Sequence, residues 1–172
     1  MSALALIRSG GSLHDFASID LRFLSRCDKR QQTVLHEAVR FNRLDLAAYI
    51  LERVPNVNQG NVKGITPLHY AAKNGNRDMI LLLQRFGARQ MPTRYRHEWP
   101  IHYAVEARNA HVFNLLADGI NDFSTSVTDE PRLAAMTSGT PLQMAIRRSA
   151  LKGSLACVEA LIRLGANVHL ID

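Results

Sequence analysis

Apolar residues in the middle of this chain form two short helical segments, each followed by a glycine. Leu68 and Ala71 share one face of a predicted helix that ends at Gly75, and a second apolar segment over residues 79–83 ends before Gly87. Glycine after an apolar periodic segment is typical of a helix C-terminus, where a left-handed conformation is needed. The pattern therefore predicts a helix, a turn and a second helix.

One short motif starts this unit and recurs along the chain. It reads T-V-L-H-E-A from Thr33, T-P-L-H-Y-A from Thr66, W-P-I-H-Y-A from Trp99 and T-P-L-Q-M-A from Thr140. Threonine caps a helix with its hydroxyl, and proline suits the first helical position. The first three copies follow one another every 33 residues, and the fourth follows after 41. Such a fixed period predicts a stack of repeats, in which each unit contacts only its neighbours.

The joint pattern resembles the ankyrin repeat, whose signature is T-P-L-H-x-A. Residues 61–66, N-V-K-G-I-T, are similar to the family's D-x-x-G-x-T turn, and residues 165–168, G-A-N-V, are similar to its G-A-D-V-N ending. Arg94 stands where the family's turn aspartate would be, and the resemblance covers residues 28–169. It implies an all-α fold, an ankyrin-repeat solenoid of stacked helix-turn-helix units with β-turn or hairpin fingers.

The period divides the chain into five units within a single domain, residues 1–172. In the first unit, Ser9 takes the place that Asn42 has one period later. No polar cap is visible at the C-terminal end, so we expect further repeats, a partner or a second copy of the chain to cover it. The units are a degenerate N-terminal cap repeat over 1–27 and repeats over 28–60, 61–93, 94–134 (with an inserted loop over 120–139) and 135–172 (stretched).

Composition excludes several classes of protein. Apolar residues make up 47% of the chain and charged residues 21%, which excludes a disordered chain. No stretch approaches the roughly 18 consecutive apolar residues of a membrane span, so we expect no membrane insertion. No signal peptide is apparent, and we expect an intracellular location: cytoplasmic or nuclear, or the host cell cytosol for a secreted bacterial effector. Cys27 and Cys157 are predicted to be buried, reduced thiols.

Three histidines invite a metal or catalytic interpretation. His36, His69 and His102 hold the same place in successive repeats, and the resemblance implies a structural role for that histidine at the junction of turn and helix. A zinc site needs ligands that converge at about 2 Å, whereas equivalent residues of stacked helices stand about a helix diameter apart. No nucleophile elbow or phosphate-binding glycine loop is present. We therefore expect no enzyme, no cofactor and no metal.

Basic residues recur at the positions that the resemblance assigns to partner binding. The net charge is +6, carried mostly by arginine, which binds carboxylate and phosphate with a planar fork of donors. Residues 93–99, T-R-Y-R-H-E-W, are the richest segment, although Trp99 alternatively fills the turn and the cations alternatively form a solvated face. The predicted partner-binding residues are Lys29, Arg30, Arg40, Phe41, Lys63, Lys73, Arg94, Tyr95, Arg96, Trp99, Arg147 and Arg148.

These features predict a non-catalytic adaptor or targeting module that binds an acidic protein segment through its concave basic face. Nucleic-acid binding through the arginine stripe is an alternative, but the chain lacks a nucleic-acid motif and aromatic residues are sparse, at 6%. A further alternative is the interaction domain of a larger protein, such as a bacterial effector or signalling protein, whose activity lies outside this chain.

Overall fold

Eight helices, arranged as four consecutive pairs, form the regular structure of the part of the chain described here. The computed structural model describes residues 3–17, 26–54, 56–95, 98–107 and 109–117. The first helices of the pairs pack side by side in one row, and the second helices pack in a neighbouring row. The helices are α1 (Ala3–Arg8), α2 (Leu13–Ala17), α3 (Val34–Arg40), α4 (Leu44–Leu51), α5 (Pro67–Asn74), α6 (Arg77–Arg85), α7 (Pro100–Glu106) and α8 (Ala110–Ala117).

This arrangement confirms the predicted all-α solenoid. The first helices α3, α5 and α7 each bury a large apolar residue and, three positions later, an alanine that lets the neighbouring helix approach closely. A single pair could not bury its own apolar face, so stacking produces one continuous core. The equivalent core residues are Leu35, Leu68 and Ile101, followed by Ala38, Ala71 and Ala104.

His36 joins the start of its own helix to the next repeat. Its Nδ1 accepts a hydrogen bond from Thr33 N (3.1 Å) and lies 2.7 Å from the Thr33 hydroxyl oxygen. Its Nε2 lies 3.0 Å from Ile65 O. Because a carbonyl only accepts, Nε2 carries the proton and the ring is neutral. The ring thus bonds to the turn of its own repeat and to the turn of the next.

The later histidines repeat this arrangement. His69 Nδ1 accepts from Thr66 N (3.1 Å), and its Nε2 donates to Glu98 O (3.1 Å). His102 Nδ1 accepts from Trp99 N at 2.9 Å. Trp99 has no hydroxyl, so only the backbone half of the cap remains there. The structural interpretation of the three histidines is confirmed.

The turns before the first helices form fingers that pair with one another through the backbone. We define the fingers as residues 28–32, 61–65 and 93–98. Val62 N donates to Arg30 O (3.0 Å), which joins the first finger to the second. Arg94 N donates to Lys63 O (2.9 Å), which joins the second to the third. The fingers are therefore stacked in the same order as the helices.

The third finger departs from the other two. Asp28 N bonds to Gln32 O, four residues on, and Asn61 N bonds to Ile65 O in the same way. In the third finger, Thr93 N donates to Glu98 O (2.9 Å) and the Thr93 hydroxyl accepts from Glu98 N (3.0 Å), five residues on. Thr93, not Arg94, therefore holds the place of the turn aspartate. The prediction for Arg94 was wrong because this finger is one residue longer.

The register of the cap repeat also differs from the prediction. The first helices are followed by a residue with positive φ: Gly10 (79°), Asn42 (57°) and Gly75 (68°). These residues are equivalent, so Gly10, not Ser9, corresponds to Asn42. A strict 33-residue period would place the equivalent of Asn42 at residue 9, whereas the glycine that ends the first helix is residue 10. The cap repeat is therefore shifted by one residue relative to that period. Arg8 consequently becomes the equivalent of Arg40 and Lys73.

Cys27 is exposed rather than buried, so this part of the cysteine prediction was wrong. The residue lies at the base of the first finger, where it forms an isolated β-bridge with Thr33 instead of packing within a helix. Cys157 lies outside the described residues, as do the inserted loop and the last repeat. Among the helices described, none is long and apolar enough to cross a membrane, and the longest, α6, has nine residues.

Buried neutral histidines make stability depend on pH. Burial lowers the pKa of His69 to about 4 and also lowers the pKa of His36 below its usual value. Between the unfolded pKa of about 6.5 and pH 4, the unfolded chain binds more protons than the folded chain. We therefore expect the free energy of unfolding, measured in urea, to fall as pH drops through this window. His69→Gln should flatten the dependence, whereas His111→Gln, at an exposed site, should not.

The finger backbone predicts opposite effects at two equivalent positions. Gly64 has φ 76°, and a Cβ there would lie 2.7 Å from Arg94 N. Gly64→Ala should therefore lower the free energy of unfolding by more than about 1 kcal/mol. Gln31 adopts the same conformation (φ 58°) with a side chain. Gln31→Gly should stabilise by about 0.5–1 kcal/mol. Gln31→Ala is the control, since an unchanged stability there assigns the gain to the backbone.

Candidate functional site

The fingers and the last turns of α1, α3 and α5 contribute neighbouring side chains to one surface, which we call the finger face. The Arg8 guanidinium lies 3.9 Å from the Asp28 carboxylate of the first finger. The Gln32 amide, from the same finger, donates to the Tyr70 hydroxyl of α5 (2.7 Å). Side chains from fingers and helices therefore meet along this surface.

Most of the predicted partner-binding residues are exposed on the finger face. Tyr95 is the most open of its large apolar side chains, at 71% exposure. Trp99 is half-buried and packs against the core, so its indole fills the turn. Arg96, Arg147 and Arg148 lie outside the described residues. The exposed members of the prediction are Lys29, Arg30, Arg40, Phe41, Lys63, Lys73, Arg94 and Tyr95.

A column of cations runs along the ends of the first helices. Arg8, Arg40 and Lys73 each stand two residues before the positive-φ residue that follows the helix. Sequence reasoning missed Arg8, because a strict 33-residue subtraction pairs it with Phe41. Gly10 was the available signal, since glycine is the usual residue for a left-handed helix C-cap.

The finger tips carry a second column, which consists of two cations followed by a tyrosine. By the hydrogen bonds of the turns, Arg30, Lys63 and Tyr95 occupy equivalent positions in successive fingers. Within the described ranges, neither Arg30 nor Lys63 forms an ion pair with a carboxylate. These charges are therefore available to a partner.

One buried carboxylate lies between two of the helix-end arginines. Glu37 is only 1% exposed, and its oxygens accept hydrogen bonds from Arg8 Nη2 (3.0 Å) and Nε (3.4 Å). Arg40 Nη1 approaches the same carboxylate at 3.7 Å. The hydrogen bond and the negative charge of Glu37 raise the pKa of Arg8, which favours the charged form of its guanidinium. The cap repeat is thereby tied to the first full repeat.

The described residues offer little for chemistry on small molecules. In these ranges no three His, Cys, Asp or Glu side chains converge as metal ligands would. An open groove of about 350 Å³ lies away from the finger face, at the ends of α4 and α6. Its lining shows no nucleophile paired with a base. The groove is lined by Leu51, Glu52, Arg53, Val54, Val57 and Phe86.

Comparison with known families accounts for this repeat pattern. A sequence profile of ankyrin repeats (three copies) matches residues 11–94 and 35–129, and a profile of the single ankyrin repeat matches residues 139–172. The chain belongs to the ankyrin repeat family. The crystal structure of the human ASB11 ankyrin repeat domain superposes with a TM-score of 0.74 at 25% identity. That match covers 98% of this chain and 71% of the ASB11 chain.

Curated ankyrin relatives differ greatly in length. The ankyrin repeat protein FPV223 of fowlpox virus (strain NVSL) is 31% identical over 107 residues, covering 62% of this chain and 73% of that protein. Human palmitoyltransferase ZDHHC17 is 39% identical over 62 residues, covering 36% of this chain and 10% of that protein. The human transient receptor potential channel, subfamily A member 1, is 31% identical over 81 residues, with coverages of 45% and 7%. This chain thus spans a tenth or less of the two long relatives.

Ankyrin repeats are in general protein-interaction modules, and the repeat itself is of a non-catalytic kind. In this ankyrin array, Tyr70 and Tyr103 occupy the place that Glu37 has in the first full repeat. Tyr103 donates to Glu98 in the finger of its own repeat (3.2 Å), whereas Tyr70 accepts from Gln32 in the finger of the preceding repeat. A carboxylate at this position of the first helix is therefore particular to the first full repeat among those described.

The pairing of Arg8 with Glu37 should stabilise the cap. In Arg8→Met, Glu37 stays buried and retains only the longer contact to Arg40. Since half of the Arg8 side chain is exposed, we expect a moderate loss of about 1–2 kcal/mol in the free energy of unfolding. Urea denaturation measures the change, and Arg85→Met, an exposed arginine of α6, is the matched control. Equal effects of the two substitutions would contradict the assigned role.

Proposed function

We propose that this chain is a non-catalytic binding array whose finger face holds an acidic segment of another protein. The observation that carries the proposal is the recurrence of exposed cations at equivalent places in successive repeats. One column follows the helix ends and another follows the finger tips. A partner that crosses the three fingers would meet a cation on each of them: Arg30, Lys63 and Arg94.

Rigid presentation of these charges supports the proposal. Arg30 and Lys63 carry the backbone carbonyls that link the fingers, so the main chain beneath each cation is held by hydrogen bonds. Pre-organised charges lose less entropy on binding than charges on a mobile loop. Electrostatic complementarity mainly speeds encounter and selects the partner, so an acidic segment fits this face better than a basic or neutral one.

Tyr95 adds an anchor of a different kind at the end of the finger column. Its ring is 71% exposed beside Arg94. Tyrosine and arginine are enriched among the residues that dominate binding energy at protein interfaces. We propose that this tip contacts an apolar or aromatic residue of the segment, next to the acidic residues bound by the cations.

Other activities carry less weight. Two long relatives are named as a palmitoyltransferase and a cation channel, and this chain spans a tenth or less of each. Their names are therefore no argument for acyl transfer or ion conduction by this chain. Nucleic-acid binding requires the same cations, but it usually adds several aromatic side chains for base stacking, and the described finger face exposes two aromatic residues, Phe41 and Tyr95. An intracellular location and self-association through the C-terminal end stay predictions.

Selection of displayed random peptides on the immobilised chain tests the proposal. We expect the enriched peptides to be rich in Asp and Glu. The variant Lys63→Glu with Arg94→Glu should bind them at least about tenfold more weakly, since it reverses charge on two neighbouring fingers. A duplex DNA probe measured over a range of salt concentrations tests the nucleic-acid alternative.

A matched variant separates the finger face from overall charge. Arg77→Glu with Arg85→Glu makes the same change in net charge on exposed positions of α6, a second helix. This control should lose much less affinity than the finger variant. Enrichment of peptides without acidic residues, or equal losses in both variants, would refute the proposed binding face.

A further inference from the structure

We propose that Arg8 and Arg40, held by the buried carboxylate of Glu37, form a receptor for one acidic side chain of the partner segment. This inference rests on the proposed function and assigns it a defined subsite. The subsite lies where the cap repeat meets the first full repeat, beside the first finger. Glu37 acts as a positioning residue and does not touch the partner.

The geometry leaves donors pointing away from Glu37. A guanidinium has five N–H donors, and Arg8 directs its Nε and Nη2 groups toward the Glu37 carboxylate. The side chains of Arg8 and Arg40 are 49% and 54% exposed, respectively, whereas Glu37 is 1% exposed. Glu37 is therefore closed to a partner, while both arginines still present N–H groups to solvent. A partner carboxylate can bind the outer donors without displacing the inner contact.

The negative charge of Glu37 also reduces the repulsion between the two arginines at this corner. Two guanidinium groups held close together repel each other, and a carboxylate between them offsets the repulsion. Arg40 is further held by its contact with the Phe41 ring, whose centroid lies 5.6 Å from the guanidinium carbon. The guanidinium groups of Arg8 and Arg40 are thus positioned before a ligand binds. Such pre-organisation favours the binding of a planar carboxylate by two parallel N–H donors.

The surrounding charges leave the corner positive. Asp28 approaches Arg8 only at 3.9 Å, and its other oxygen accepts hydrogen bonds from Arg30 N and Gln32 N within the finger. The first finger and the two helix ends together carry four cationic side chains and two carboxylates, and this excess of positive charge favours an incoming anion. The cations are Arg8, Lys29, Arg30 and Arg40, and the carboxylates are Asp28 and Glu37.

The described repeats contain this arrangement at one corner. The residues equivalent to Glu37 are Tyr70 and Tyr103, and the helix-end cation beside Tyr70 is a lysine, Lys73. Lysine is a point charge without the planar fork of arginine. The first corner is therefore the place where a carboxylate can be recognised by shape as well as by charge.

A positioning role and a purely electrostatic role predict opposite results for Glu37→Gln. This substitution removes a negative charge near the face, so simple attraction would make an acidic ligand bind more tightly. If Glu37 positions the arginines, the ligand should bind more weakly although the face has become more positive. The sign of the change therefore identifies the role.

The experiment measures binding of a short, labelled polyglutamate peptide to the full chain at physiological ionic strength. We expect Glu37→Gln to weaken binding by about fivefold at an equal folded fraction, checked by circular dichroism. Arg8→Lys keeps the charge but loses the fork, and we expect a loss of similar size. Arg85→Lys, on α6, should leave the affinity unchanged.

The outcomes separate this inference from the proposed function. If the unaltered chain does not bind polyglutamate, the proposed function fails and the receptor fails with it. If the unaltered chain binds and Glu37→Gln binds as well or better, the receptor is overturned while the binding face stands. If Glu37→Gln does not fold, Arg8→Lys decides: a weaker affinity supports the receptor, and an unchanged affinity overturns it.

Discussion

The first two full repeats are each joined to the next by a neutral histidine that bonds in two directions. His36 accepts from the backbone N–H at the start of its own helix and donates to Ile65 O in the next finger; His69 does the same with Glu98 O. The ring performs both tasks only while it carries one proton. Burial favours that neutral state by penalising the charged ring. The position of each finger relative to the helices therefore depends on an uncharged imidazole.

These junctions fix the positions of the fingers that form the proposed binding face. Fingers fixed by histidine bonds and by backbone pairing hold Arg30, Lys63 and Arg94 on a stacked scaffold. The third finger keeps the scaffold but contains one more residue, because Thr93 closes it in place of an aspartate. Its tip presents Tyr95, which is 71% exposed, where the other two fingers present a cation. A small local change in the repeat thus alters what the surface presents without disturbing the stack.

The cap repeat is joined to the next repeat by an ion pair instead of a histidine. Its helix ends at Arg8, and that arginine reaches the buried Glu37 of the next repeat instead of lying loose on the surface. An ion pair that joins this repeat to the next also draws two guanidinium groups together. Stability and recognition are coupled at this corner, since the carboxylate that secures the cap also shapes the proposed receptor.

The sequence alone determined the helix pairs, the repeat and the structural histidines, because these depend on local periodicity and capping that recur in every unit. It also located the exposed cations of the fingers, since turn residues before a cap face solvent. The sequence assigned Arg94 to a finger position one residue away from its true one, and it missed Arg8. A one-residue shift in a turn or in the cap repeat changes which residues are equivalent between repeats, and the residue types alone do not reveal such a shift. The burial of Glu37, the packing of Trp99 and the exposure of Cys27 were decided by tertiary structure alone. Each depends on contacts with a neighbouring repeat or finger, and the local sequence around a residue does not specify those contacts.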